Sequence, residues 1–323
     1  MEESYIVRRI NFKNMNAIDK LIKKIEETDN PTVIGLDPRY EMLPKCVTDK
    51  YEQNLEGVAQ AIIEFNKNLI DATYDIIPAV KVQIAFYEMY GIPGIKAFQE
   101  TCQYAKEKGM IVMADSKRGD IGSTAQGYSN AFLGRTNIGN KEEAIFDVDF
   151  VTVNAYFGID CVKPFIDDCK KYNKGIFILV KTSNPSSGEL QDLKLKDGKE
   201  IYMEMVELVE KWGEELRGES NYSSVAAVVG ATYPEQLKQI RESAPHTFFL
   251  IPGYGAQGGK ASDIALGFDK NGLGGIVNAS RSLMCAYKSE KWKDKFEETN
   301  YAKATRAEAL RMKEELNQAI CKK

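Results

Sequence analysis

Eight short apolar runs, each followed by a longer amphipathic stretch, constrain this chain more than anything else in its sequence. The runs are TVIGLD (32–37), AVKVQ (79–83), MIVMAD (110–115), FVTVNA (150–155), GIFILVK (175–181), VAAVVG (225–230), TFFLIPG (247–253) and GGIVNA (274–279). Near-continuous apolarity means burial on both faces, which is the mark of a parallel sheet wrapped by helices. Stretches such as NLEGVAQAIIEFNKNLIDATY and GIKAFQETCQYAKEKG supply those helices. Eight βα units predict an α/β chain folded as a (β/α)8 TIM barrel, with a doubly wound open sheet as the alternative. A single barrel domain over 1–323 suits the length, and 43% apolar residues is ample for its core. Helical patterns at 16–28 and 301–320 predict an N-terminal helical extension (1–30) that plugs the barrel bottom and a C-terminal helix (300–323) on its flank.

Composition removes several function classes. A net charge of −4, with both signs spread along the chain, leaves no basic stripe for nucleic acid and no polybasic membrane patch. The opening MEESYIVRRINFKNMN has no signal-peptide core, and no later stretch approaches a membrane span, so a cytoplasmic location is expected. Six cysteines without a CxxC pair give neither zinc spacing nor a disulfide framework, and they are expected to be reduced and mostly buried. The single histidine, His246, precedes a strand and so lies at the wrong end of a barrel for catalysis. Acid–base work must then fall to Lys, Asp, Glu or Tyr.

Barrel enzymes place their chemistry at the C-terminal ends of strands. Read in order, those positions are Asp37, Lys81, then Asp115 and Lys117 with Asp120 just beyond. Asn154, Lys181–Thr182–Ser183, Gly230, Gly253–Tyr254–Gly255 with Gln257, and Ser280–Arg281 follow. Water at strand ends explains one or two charges, but not three Asp and two Lys converging at neighbouring strands. Asp115 and Lys117, two apart, can both leave the strand toward the mouth. Asp120 stands where the next helix should begin, with Ile121 starting its apolar face, so a helix N-cap and a catalytic role both remain open. Alternating Lys and Asp would keep each lysine protonated, which suits a general acid delivering a proton to a developing carbanion.

The last two loops have the character of a phosphate site. PGYGAQGG offers glycine N–H groups and the Gln257 amide, while NASRSLM sets Ser280 and Arg281 at the start of a helix. The stretch 181–199 is too long and polar for a simple connection and suggests a lid. Ser183 within it could read a pyrimidine-like ring edge.

IGLDPR, KVQIAFYE, DSKRGDIGSTA, LVKTSNPSS, PGYGAQGG and NASR, in that order across 31–285, resemble the longer branch of the orotidine 5′-phosphate decarboxylase family. The resemblance implies conversion of orotidine 5′-monophosphate to UMP and CO2, the last step of de novo UMP synthesis, without metal or organic cofactor. It implies Lys117 as proton donor and Asp115 set against the substrate carboxylate. Lys81 and Asp120 would complete the charged network, and Asp120 with Ile121–Thr124 would reach into the partner subunit's site of a homodimer. Asp37 would contact a ribose hydroxyl, Ser183 the pyrimidine, and Gln257 with Arg281 the phosphate. Ser280 stands where many relatives carry Gly, which would keep a backbone N–H contact but alter the local phosphate geometry. Two other readings use the same residues: a magnesium-dependent sugar-phosphate aldolase or decarboxylase, and a non-catalytic nucleotide-binding barrel.

Overall fold

Alternation along each strand decides what the barrel contains. In β2 (Ala79–Gln83) the side chains of Val80 and Val82 belong to the outer core, while Ala79 joins the inner one. Lys81 and Gln83 share the inner face with Ala79, because residues two apart project the same way. The computed structural model describes residues 15–254 and 259–321. It places the remaining barrel strands at β1 (Thr32–Leu36), β3 (Ile111–Arg118), β4 (Phe150–Val153), β5 (Gly175–Lys181), β6 (Ser223–Val229), β7 (Thr247–Ile251) and β8 (Gly275–Ala279). All pair in parallel, each with its sequence neighbours, and β8 closes on β1 through Val33 opposite Asn278. The closed (β/α)8 barrel expected from the sequence is the observed fold, and the open sheet is not.

The helices fill the outer layer. The longer ones are α1 (Ala17–Thr28), α2 (Leu55–Thr73), α3 (Gly91–Glu107), α4 (Gly122–Phe132), α5 (Ile159–Tyr172), α6 (Ile201–Trp212) and α7 (Pro234–Ser243). The set ends with α8 (Ala261–Ala265), α9 (Arg281–Met284) and α10 (Tyr301–Cys321). Asn16 caps α1 by accepting from Asp19 N at 2.9 Å. Ile18, Leu21, Ile22 and Ile25 of α1 then pack with Val33, Ala79, Ile111, Phe150, Phe177 and Phe248, the inward residues at the strand bottoms. The helix therefore plugs the N-terminal end of the barrel. On the flank, α10 packs on α2, α8 and α9, with Thr305 Oγ1 donating to Leu283 O at 2.8 Å. Among the described residues no helix is long and apolar enough to cross a membrane.

One contact at the barrel seam is set by a glycine. A Cβ at Gly35 would stand 1.9 Å from Ser280 Oγ, so the Ser280 hydroxyl occupies space that only a glycine on β1 leaves open.

Candidate active site

With the bottom plugged, the open end of the barrel is the mouth at the strand C-termini, and a cavity of about 640 Å³ lies there. Leu179, Val228 and Leu250 give it apolar lining; Asp37, Lys81, Asp115 and Lys117 give it charge. These four form one line. Lys81 Nζ lies 3.6 Å from Asp37 Oδ1 and 2.9 Å from Asp115 Oδ2, and Lys117 Nζ lies 2.6 Å from Asp115 Oδ1. Gln83 Nε2 and Thr152 Oγ1 donate to the same Asp115 carboxylate at 2.9 and 3.0 Å. Both carboxylate oxygens thus accept two bonds each.

Burial alone would neutralise Asp115 and Lys81, and their partners prevent it. Desolvation opposes the Asp115 carboxylate, but Lys81 and Lys117 outweigh it and hold its pKa well below the usual range. Desolvation likewise opposes the Lys81 ammonium, and Asp115 and Asp37 overcome it, holding that pKa above the ordinary lysine value. Asp115 is an anion and Lys81 a cation throughout the neutral range.

The strand carrying Asp115 does not end there, as the sequence suggested, but runs on to Arg118. Between Ala114 and Arg118 it advances four residues while β4 advances two, from Val151 to Val153. The extra residues make a bulge, in which Lys117 adopts a left-handed φ of +47°. Ser116 N and Lys117 N, displaced from the ladder, donate to Thr152 Oγ1 at 2.9 and 2.8 Å.

Arg281, Ser280, Gly253 and Tyr254 line the far side of the cavity, at the ends of β7 and β8. Asn278 Nδ2 donates to Ser280 Oγ at 3.3 Å, and Arg281 opens α9. Gln257 lies outside the described residues. Ser183, Thr182 and Asn184 form another wall. The connection after β5 is structured, with a 3-10 turn at Pro185–Ser187, a helical turn at Gly188–Gln191 and a bridge between Lys194 and Glu200. Lys181 is not in the cavity wall. Its ammonium is buried 2.6 Å from Asp192 Oδ1 and 4.9 Å from the centre of the Tyr233 ring, pinning the loop from beneath.

Several expectations need correction. Helix α4 begins at Gly122, and Ile121 is an exposed residue ahead of it, 53% accessible, rather than the start of an apolar face. Asp120 is not the N-cap; its Oδ1 accepts from Ile121 N at 2.7 Å, one residue before the helix. Apart from these corrections, Asp120, Ile121 and Thr124, expected to reach a partner's site, are not among the residues lining this chain's own cavity, and Asn154 Oδ1 accepts from Tyr156 N at 3.2 Å. Only Cys102, Cys161 and Cys169 of the six free cysteines are buried, fewer than expected. Sequence reasoning missed Gln83 and Thr152, because neither is charged and each acts only through strand register. His246 is structural, its Nδ1 3.0 Å from Asn221 O. Among the described residues no three His, Cys, Asp or Glu side chains gather where they could hold a metal ion.

Known proteins resemble this chain along most of its length. Residues 31–294 match the family model described as the orotidine 5′-phosphate decarboxylase / HUMPS family. The orotidine 5′-phosphate decarboxylase of Caldicellulosiruptor bescii is 41% identical over 310 residues, covering 95% of this chain and 99% of that one. The Rhodopirellula baltica protein of the same name is 42% identical, covering 94% and 99%. The solved OMP decarboxylase of Leishmania donovani superposes with a TM-score of 0.71 at 28% identity, covering 95% of this chain and 99% of that one. The chain belongs to the orotidine 5′-phosphate decarboxylase family.

Proposed function

We propose that the charged line Asp37–Lys81–Asp115–Lys117 decarboxylates orotidine 5′-monophosphate to UMP and CO2. The activity makes the chain a carboxy-lyase of pyrimidine nucleotide synthesis. One observation carries the mechanism: a buried carboxylate, Asp115, fixed by four donors beside a lysine whose side chain is 44% exposed toward the cavity. In this reading Asp115 faces the substrate carboxylate. The C6–carboxylate bond breaks, its electron pair stays on C6, and the Lys117 ammonium delivers a proton to that carbon. Charges fixed before the substrate arrives stabilise the carbanion-like state without reorganising.

Binding falls to the remaining walls. Asp37 holds a ribose hydroxyl and Ser183 the pyrimidine edge; Arg281, the Ser280 N–H and Gln257 hold the phosphate. No metal or organic cofactor takes part. Asp115 is already engaged by four donors, which disfavours the aldolase reading in which it would ligate magnesium.

Asp120, with Ile121 and Thr124, serves the site of a second copy in a homodimer. The support is a sector of exposed apolar side chains in the connections after β2, β3 and β4: Met89, Ile92, Ile121, Tyr128, Tyr156 and Phe157. Such clusters at one rim mark association surfaces. We read the whole chain as one domain, 1–30 its helical extension and 300–323 its closing helix, working in the cytoplasm. The test is release of UMP and CO2 from orotidine 5′-monophosphate by purified protein in excess chelator. Activity that vanishes in chelator and returns with Mg²⁺ would favour the metal-dependent reading.

A further inference from the structure

The Thr152 hydroxyl has three hydrogen-bonding capacities, one as donor and two as acceptor, and all three are used within β3. It accepts from Ser116 N and Lys117 N at 2.9 and 2.8 Å and lies 3.0 Å from Asp115 Oδ1, to which it donates. The side chain is 1% exposed, on the inner face of β4 directly above Phe150. Its outward neighbours Val151 and Val153 are ordinary core residues, so nothing in packing alone demands a hydroxyl here.

A bulge strands backbone donors, and buried donors must find partners. At this bulge the stranded donors are those of Ser116 and of Lys117 itself. Lys117 is held at φ +47°, a region in which a lysine is strained. The single hydroxyl thus ties the strained backbone of the lysine to the carboxylate that faces its ammonium.

We propose that Thr152 is a positioning residue for the Lys117 proton donor: its hydroxyl holds the left-handed bulge and the Asp115 carboxylate in mutual register. The proposal rests on the role given to Lys117 above. It concerns the chemical step and not binding, because Thr152 offers the substrate no free hydrogen-bonding capacity.

Thr152→Val keeps the β-branched shape and removes the hydroxyl; Thr152→Ser keeps the hydroxyl. The expected result for Thr152→Val is a fall in kcat on the order of a hundredfold, the size that a misplacement of about 1 Å produces. Its UMP affinity should stay within about threefold of wild type, and Thr152→Ser should retain kcat within about threefold. Thr152→Val with kcat near wild type, or losing UMP affinity as much as kcat, overturns the proposal. If Thr152→Val does not fold, amide exchange in the wild type decides: strong protection of the Ser116 and Lys117 amides supports the proposal, and exchange at exposed-loop rates defeats it. Lys117→Ala measured alongside separates the two levels. Full turnover by that variant removes the premise, whereas its loss with an active Thr152→Val defeats the positioning role alone.

Discussion

Lys81 Nζ stands 2.9 Å from Asp115 Oδ2 on the neighbouring strand, with only 5% and 10% of the two side chains exposed. A pair so buried is costly to break from one side, because the survivor keeps its charge without its partner. Lys81→Met should therefore destabilise the fold by about 3 kcal/mol, the low end for such pairs, since Lys117 still faces Asp115. The effect has a defined pH window. The lowered Asp115 pKa contributes stability that is full above the ordinary 3.8 and is lost as pH falls below it. The raised Lys81 pKa contributes stability that is full below 10.5 and is lost as pH rises beyond it. Denaturant unfolding of wild type and variant should show a constant gap between these limits, narrowing in acid. A gap that changes steadily between pH 5 and 9 would contradict the pair.

Arg281 meets the cavity at the start of α9; the proposed charge-assisted bond to a phosphate dianion there would add to ground-state and transition-state binding alike. Arg281→Ala should lower kcat/KM roughly ten- to hundredfold, chiefly through KM. Unchanged kcat/KM would show that the phosphate sits elsewhere.

Lys181 pins the loop that carries Ser183 from a buried position 2.6 Å from Asp192. Lys181→Met should weaken UMP by about tenfold, the scale of a single hydrogen bond, while ribose 5-phosphate binds as before. Calorimetry on the two ligands separates the outcomes. Equal weakening of both would mean that Lys181 only stabilises the fold.

Asp120 lies outside its own chain's cavity, which makes subunit mixing informative. In a shared-site dimer, Lys117→Ala and Asp120→Ala homodimers are each nearly inactive. Their mixed dimer holds one site with both lesions and one with neither. Random re-pairing should restore roughly a quarter of wild-type activity, by the symmetry of an isologous pair. Recovery no greater than the summed parents, after confirmed exchange, would place Asp120 with its own chain.

The eight strands were legible because parallel strands buried on both faces spell continuous apolar runs. Lys81, Asp115 and Lys117 were legible because charge at a strand end needs a reason. The continuation of β3 was not: DSKR looks like an exit from the sheet, yet Thr152, a residue unremarkable inside FVTVNA, accepts from Ser116 N and Lys117 N, and the ladder resumes at Arg118 opposite Val153. Gln83 sat in a recognised motif, yet its bond to Asp115 depends on the register that sets those two residues side by side. Lys181 looked like a site residue and proved to be an anchor, because its partner Asp192 lies eleven positions on, in a loop whose path no local pattern dictates. The α4 start moved to Gly122 for a similar reason: Asp120 spends its carboxylate on the next residue's N–H.

Turnover of orotidine 5′-monophosphate by Lys117→Ala tests the central claim most directly. In a site whose cavity lining contains no histidine, the proposed donor of the proton to the carbon that loses CO2 is Lys117. Its removal should lower kcat by at least about 10²–10⁴-fold, the range for a positioned general acid, while UMP binding remains measurable. Turnover within about tenfold of wild type would contradict that role.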